Sequence, residues 1–329
     1  MRNLAFLRRW ETMLLLLLAA VVLFFSIGKP GVYTPKALLG NTQVFMDIGF
    51  LALGMMLVLV LGDIDISVGA TAALSCTILA LCYNKGEGIP LVPAIMVALV
   101  TGAACGAING FLITRFKELF PMIITLSTQT IFRGVSYIIL KDQSMGGFPR
   151  WFTSIGYNTV GNTAVPINLV CFLAVAFFFY VWVHHTMAGR RIFAMGTNAV
   201  ASRYSGVHTD RIKFFVFTLN GLLAAVCGIF LTTRTSSVRP NMALGYEMQA
   251  IAVAVLGGVS TAGGAGSVFG VVLALFTIGF LKFGLKIYNV DGQLEPMVIG
   301  LLLILITLIP NLLADVRARV DVRRRRVAL

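Results

Sequence analysis

Hydrophobic residues in this chain run in long blocks separated by short polar stretches. The blocks fall at about 12–28, 44–62, 67–83, 90–114, 120–140, 165–187, 213–233, 248–258, 267–288 and 296–313. A helix that crosses roughly 30 Å of hydrocarbon needs roughly 20 apolar residues, and most of the blocks supply them. The pattern predicts an all-α fold, a polytopic transmembrane bundle of about ten helices. The eighth block is too short to span unless it continues into the glycine-rich stretch that follows, so a half-helix or re-entrant element is the alternative there.

Composition agrees with that pattern. The chain has 329 residues, of which 58% are hydrophobic and 12% charged, against roughly 25% charged in soluble domains. A single membrane domain over 1–329 is expected, with a polar loop at about 188–212 and a basic tail at about 314–329. The first block follows Arg8 and Arg9 and has Ser26 and Gly28 near its end, a weak cleavage pattern, but its length favours a retained helix. Five cysteines, Cys76, Cys82, Cys105, Cys171 and Cys227, lie within or at the ends of apolar blocks without disulfide or zinc spacing, and read as small packing residues.

The net charge of +13 raises the question of nucleic acid, which its distribution answers. The basic residues sit in loops and in the tail, where Arg317, Arg319 and Arg323 to Arg326 suit anionic lipid headgroups. Alternate loops differ in Lys and Arg: the side holding Arg2, Arg115, Lys117, Arg190, Arg203 and the tail is the richer. By the positive-inside rule both termini are expected in the cytoplasm.

The polar stretch AGRRIFAMGTNAVASRYSGVHTDRI at 188–212 has the signals of a short helix. Thr197 or Asn198 can cap its start, and Gly206 can close it in the left-handed conformation. Val200, Tyr204 and Val207 form an apolar stripe. About two turns are too few to stand alone, so the stripe must dock, either on this chain's own helices or in a partner's groove. GGVSTAGGAGSVFG at 257–270 has no phosphate-loop pattern and no lysine. Gly266 and Gly270, like Gly102, Gly106 and Gly110, instead make the G-x-x-x-G spacing of close helix packing.

No catalytic or metal constellation is evident. Asp47, Asp63, Asp65, Glu247 and Glu295 lie near block ends, where capping or tight turns explain them, and His184, His185 and His208 lack ligand spacing. Arg133 is the exception, since a charge inside a spanning helix costs on the order of 2.5–3.5 kcal/mol and needs a partner or a polar cavity. On the same block Thr125, Ser127, Thr128 and Gln129 are polar, and Asn109 and Asn220 add amides from two others. These groups either bond across helices or line a path for a neutral, hydroxyl-rich solute; Asn109, Thr125, Ser127, Gln129 and Asn220 are the candidate path residues.

Three blocks resemble the permease subunits of bacterial ABC importers for simple sugars, the ribose permease group. They are GDIDISVGA at 62–70, FPMIITLSTQTIFRG at 120–134, and the stretch from GRRIFAMGTNAVASRYSGV to GYEMQAIAVAVLGGVSTAGGAGSVFG at 189–270. The resemblance implies a bacterial inner-membrane subunit without catalytic residues or bound cofactors. It would pair with a second permease, identical or homologous, and be driven by a cytoplasmic ATPase that holds ATP and Mg and supplied by a periplasmic sugar-binding protein. It also implies that the loop at 189–210 is the coupling helix to the ATPase, carried here by Gly189, Arg190, Thr197, Asn198, Arg203, Ser205 and Gly206. The chain departs from the family pattern in three places. Ala199 and Val200 stand where acidic residues are frequent, Ser127 stands for the usual glycine, and GDIDISVG replaces a double glycine and leucine. The family's solutes include rhamnose, galactofuranose, furanose-like autoinducers and nucleosides. The rival readings are an ion-driven secondary transporter, disfavoured by the lack of acids at membrane depth, and a structural membrane protein.

Overall fold

A computed structural model describes residues 10–290, apart from 30, 32 and 162, together with 294, 297, 300, 301 and 304. Arg2, Arg8, Arg9, Glu295, the basic tail and all but four residues of the tenth apolar block lie outside the described residues. The chain forms two compact units, 1–281 and 282–329. The first contains nearly every described element.

Nine apolar blocks become nine helices. They are α1 (Trp10–Gly28), α3 (Met46–Val60), α4 (Val68–Tyr83), α5 (Leu91–Arg115), α6 (Pro121–Leu140), α8 (Ile167–His185), α11 (Thr209–Thr235), α12 (Tyr246–Leu256) and α13 (Val268–Ile287). Short helices α2 (Pro35–Asn41), α7 (Arg150–Ile155), α9 (Met187–Thr197) and α10 (Ala199–Tyr204) lie between them. Two-residue strands β1 (Met145–Gly146) and β2 (Ser237–Val238) pair antiparallel. Among the described residues six helices are long and apolar enough to cross a membrane alone, or seven if α2 and α3, bent by 63°, count as one span. At about 1.5 Å per residue, the 11-residue α12 covers roughly 16 Å, so the eighth block is the half-helix that its length allowed.

Helix α3 is the centre of the first unit. Apart from Asp47 in its first turn it is apolar on every side, and all of its residues from Met46 to Val60 are buried, the situation expected of a helix with no polar face. Phe50 stacks on Phe230 of α11 at 5.0 Å and meets Phe172 of α8 edge-on at 5.6 Å. Helices α5 and α11 approach backbone to backbone. A Cβ on Gly102 would meet the Gly221 carbonyl, one on Gly106 the Phe217 carbonyl, and one on Gly110 the backbone of Phe214. The predicted glycine series therefore works as a small-residue seam between two long helices.

The second G-x-x-x-G expectation is corrected. Gly266 lies in the loop before α13 rather than on it, because Gly258, Gly263 and Gly264 all have positive φ and fold the stretch into turns. Gly270 is within α13 and lets it approach the Gly257 carbonyl. The loop is held at one end of the unit, where Gly264 N–H donates to the Val60 carbonyl at 2.8 Å. At the same end the Trp10 indole donates to the Leu256 carbonyl at 2.9 Å.

The α5–α11 contact makes a direct test. Gly106→Ala and Gly221→Ala should each lower the thermal midpoint in detergent, by the roughly 1–3 kcal/mol that overpacking costs. Gly134→Ala, whose added methyl meets nothing within 4 Å, should leave it unchanged. Size-exclusion profiles after heating read all three variants.

Candidate functional site

The chain is broken between α3 and α4, at Leu61–Ser67, and apart from exposed Gly62 and half-buried Ile64 the break is buried. Backbone freed from helix inside an apolar bundle must find partners within the protein, and here polar side chains supply them. Asp65, 1% exposed, accepts from the Ser67 N–H at 2.9 Å and the Ser67 hydroxyl at 2.7 Å. Its second oxygen accepts from Asn220 Nδ2 of α11 at 2.9 Å. Asn109 of α5 donates to Ser67 Oγ at 2.7 Å. Thr125 of α6 accepts from the Ile66 N–H and donates to the Ile64 carbonyl, both at 3.2 Å. Asp63 pairs with Lys213 of α11 at 2.7 Å.

Three of the five candidate path residues therefore converge on the break: Asn109, Thr125 and Asn220, each 0% exposed. Gly54 of α3 leaves the room that the Asn220 amide fills. The amide oxygens of Asn109 and Asn220 have no hydrogen-bond partner among the described residues, so the knot keeps acceptors in reserve.

The other two candidates separate. Gln129 is half-buried on α6, and its Nε2 lies 3.5 Å from Glu247 Oε1 at the start of α12. Ser127 is exposed on the opposite side of α6 and donates to its own helix at the Ile123 carbonyl. Thr125, Gln129 and Arg133 are four residues apart and share one face. Arg133 answers its burial by donating to the Pro240 and Met242 carbonyls at 2.8 and 2.6 Å, with Glu247 as an acid acting on it through space. A polar seam thus runs along α6 from the break to the loop before α12.

Asp65, Ser67, Lys213 and Glu247 belong to this seam and were not among the candidates. The acids do lie at element ends, as expected, but these ends are internal. A single-span reading places a helix end at the membrane surface, whereas α4 and α12 both begin inside the bundle. The four-residue spacing on α6 and the seven-residue spacing of Lys213 and Asn220 on α11 were the available signals. Gly69 gives Glu247 its space at the start of α4. Among the described residues no three of His, Cys, Asp and Glu converge as a metal site requires.

The loop at 188–212 holds two helices rather than one. α9 takes its cap from Thr186, whose side chain accepts from the Gly189 N–H. Gly189 lies against the Val183 carbonyl and Gly196 against the Val60 carbonyl, leaving no space for a Cβ at either. Thr197 ends α9, its hydroxyl donating to the Phe193 carbonyl at 3.0 Å, so Asn198 is the cap of α10, accepting from the Ala201 N–H at 2.9 Å. Gly206 closes α10 at φ +83°. Arg190 and Ser205 are exposed, and Arg203 reaches Asp210 at 2.9 Å, which Lys117 also meets at 2.7 Å. Against the described residues the stripe docks only at Val207, which is half-buried, while Val200 is 65% and Tyr204 90% exposed.

Comparison with known proteins covers the same span as these features. The family described as branched-chain amino acid transport system / permease component matches residues 38–307. The autoinducer 2 import system permease protein LsrD of Photorhabdus temperata is 35% identical over 303 residues, 90% of this chain and 89% of that protein. Its counterpart in Salmonella paratyphi A is 34% identical over 304 residues, and that of Escherichia coli O9:H4 33% over 304, each with 90% of both chains covered. No solved structure matches.

Pairing at the break is testable by stability. Lys213→Met leaves the buried Asp63 without its cation and should cost roughly 3–5 kcal/mol, while adding Asp63→Asn should recover most of that loss. Asn220→Ala should cost roughly 1–3 kcal/mol by orphaning Asp65. Thermal unfolding of the purified variants in one detergent measures all three.

Proposed function

We propose that this chain, which belongs to the family of branched-chain amino acid transport system permease components, moves a small, neutral, hydroxyl-rich solute of the autoinducer 2 type inward through a multi-pass inner-membrane importer. Similarity to autoinducer 2 permeases from end to end carries the choice of solute. A third of the residues are identical over nine-tenths of both chains, so the break and the loop lie inside the shared span.

The importer needs parts that this chain does not supply. A cytoplasmic ATPase holds ATP and Mg, a periplasmic binding protein delivers the solute, and a second permease, identical or homologous, closes the path. The outer face of α6, where Leu126, Ser127, Ile131 and Ile138 are exposed, is available to that second permease or to lipid. Tyr204 and Val200 on α10 are the contact for the ATPase. Trp10 lies at the α9 end of the unit, which supports an N-terminus on the ATPase side, and the positive-inside count supports the same side for the C-terminus.

Transport proceeds by alternating access. Force on α10 passes through α9, whose glycines leave it no slack against Val60 and Val183, to the end of α3 and so to the break. Parting of the seam there exposes Asn109, Thr125, Gln129 and Asn220 to the solute. Their amides and hydroxyls match a polyol; Asp65 and Asp63 are already taken by Asn220, Ser67 and Lys213, and Glu247 meets Gln129 with one oxygen.

Two measurements test this reading. In a host lacking its own importer, the chain expressed with its ATPase, binding protein and second permease should take up labelled autoinducer 2, with uptake lost on blocking ATP hydrolysis and insensitive to a protonophore. Uptake of branched-chain amino acids but not of autoinducer 2 would reject the solute. For coupling, Tyr204→Ala should weaken ATPase association about tenfold, or about 1.4 kcal/mol, and solute-stimulated ATP hydrolysis should fall with it. Unchanged association and stimulation in Tyr204→Ala and Val200→Asp would reject the role of α10.

A further inference from the structure

Helix α11 has 27 residues, so at about 1.5 Å per residue its last turn lies roughly 40 Å from α10. A cup opens there, built by that turn, the loop that follows, the first turn of α12, and Tyr157. Its volume is about 580 Å³, within the range of small-molecule sites. Arg234, Arg239, Asn241, Tyr246, Tyr157 and Thr235 supply its polar groups.

The walls are held rigidly. Arg234 donates to Asp47 Oδ2 at 2.9 Å and lies 3.4 Å from the Tyr246 hydroxyl, which is also 3.4 Å from the same carboxylate oxygen. The Tyr157 hydroxyl donates to the Arg234 carbonyl. Pairing of Met145 with Val238 and of Gly146 with Ser237 fixes the start of the loop. Gly156 lies directly against the backbone of Thr233 and Arg234, where a Cβ would collide.

The chemistry of the lining is one-sided. Asp47 is 3% exposed and committed to Arg234, and among the described residues no acidic one lines the cup. Two guanidinium groups, an amide and hydroxyls face inward beside two phenol rings. Such a surface offers donors to acceptor oxygens and flat faces to C–H groups, while its two guanidinium charges oppose an ammonium group. The floor leads onward, since Met242 lines the cup and its carbonyl accepts from Arg133 at 2.6 Å. From Arg133 the polar face of α6 descends through Gln129 to Thr125 at the break.

We infer that this cup is a solute-accepting site on the permease itself, taking a small polyhydroxylated molecule without a cationic group before it enters the α6 seam. The inference rests on the inward direction proposed above. Asn241 is exposed at the cup, so Asn241→Cys reports occupancy through its rate of labelling by a membrane-impermeant maleimide, with the wild-type chain giving the background. The assembled permease in nanodiscs, without binding protein, is challenged with millimolar autoinducer 2, ribose or leucine. Autoinducer 2 or ribose should slow labelling at least fivefold and leucine should not, and adding Arg239→Ala should abolish the protection, read as the ratio of rates with and without solute in that same variant. Thr235→Cys provides the same readout should Asn241→Cys fail to fold. Protection by leucine, by none of the three, or only by added binding protein would overturn the site, the last marking a face for protein docking. Protection by ribose alone keeps the site and removes autoinducer 2 as the solute, and the uptake assay tests that separately.

Discussion

The break between α3 and α4 is the constraint on which the rest of the structure depends. An interrupted helix inside a bundle exposes backbone groups that neither lipid nor water can satisfy, each costing several kcal/mol if left alone. Asp65 resolves much of this. One oxygen turns the chain by accepting from Ser67, and the other accepts from Asn220. Asn109 and Thr125 complete the set from α5 and α6. Four helices are thereby registered at one depth by polar contacts, while α3 beside them is apolar beyond Asp47 in its first turn. Dispersion and area burial tolerate small slides between helices, but a set of short hydrogen bonds among buried groups does not.

That registration lets a push at one end become a movement at the other. Of the links between the loop and the bundle, the ion pairs of Asp210 with Arg203 and Lys117 are about half exposed, and exposed pairs hold weakly. The contacts of Gly189 and Gly196 with backbone carbonyls have no compressible side chain between them. Packed backbone is stiff, so α9 is the rigid lever and α10 its exposed tip. The glycine-rich loop after α12 serves the same junction through Gly264 and Val60, which accounts for glycine density without a phosphate to bind.

Much of this was legible in the apolar pattern. Nine blocks gave nine helices within a few residues, and the short eighth block marked the half-helix α12. Asn198 and Gly206 announced α10 because capping is local chemistry. The role of Thr197 was not legible, since it depends on α9 continuing up to it, and α9 was hidden in a polar stretch. Asp65 and Glu247 were passed over for a similar reason. A carboxylate beside a helix end looks solvated in one dimension, and only packing shows that the end is internal. Ser127 was grouped with Thr125 and Gln129 by proximity in sequence, whereas a helix separates residues two apart onto different faces. Spacing by four would have chosen Arg133 in its place.

The departures from the simple-sugar permease pattern now acquire physical reasons. Ser127 stands where the family has glycine, and it is exposed on the outer face of α6 with its hydroxyl returned to its own helix, so the change neither crowds the seam nor adds a donor to it. Ala199 and Val200 stand in place of acids at the exposed start of α10, which leaves Tyr204 and Val200 as an exposed apolar pair without an acidic neighbour on that turn. The aspartates of GDIDISVG are a larger change, because a carboxylate at a buried break is tolerable only with a partner. Both partners come from a single face of α11, Lys213 for Asp63 and Asn220 for Asp65. That face begins immediately after α10 and the Asp210 bridge, so the helix that follows the loop is the one that holds the break together. A displacement of α11 by a fraction of a turn would pull at both aspartates together. In this chain, the added charge at the break ties it to the helix that follows the loop at 188–212.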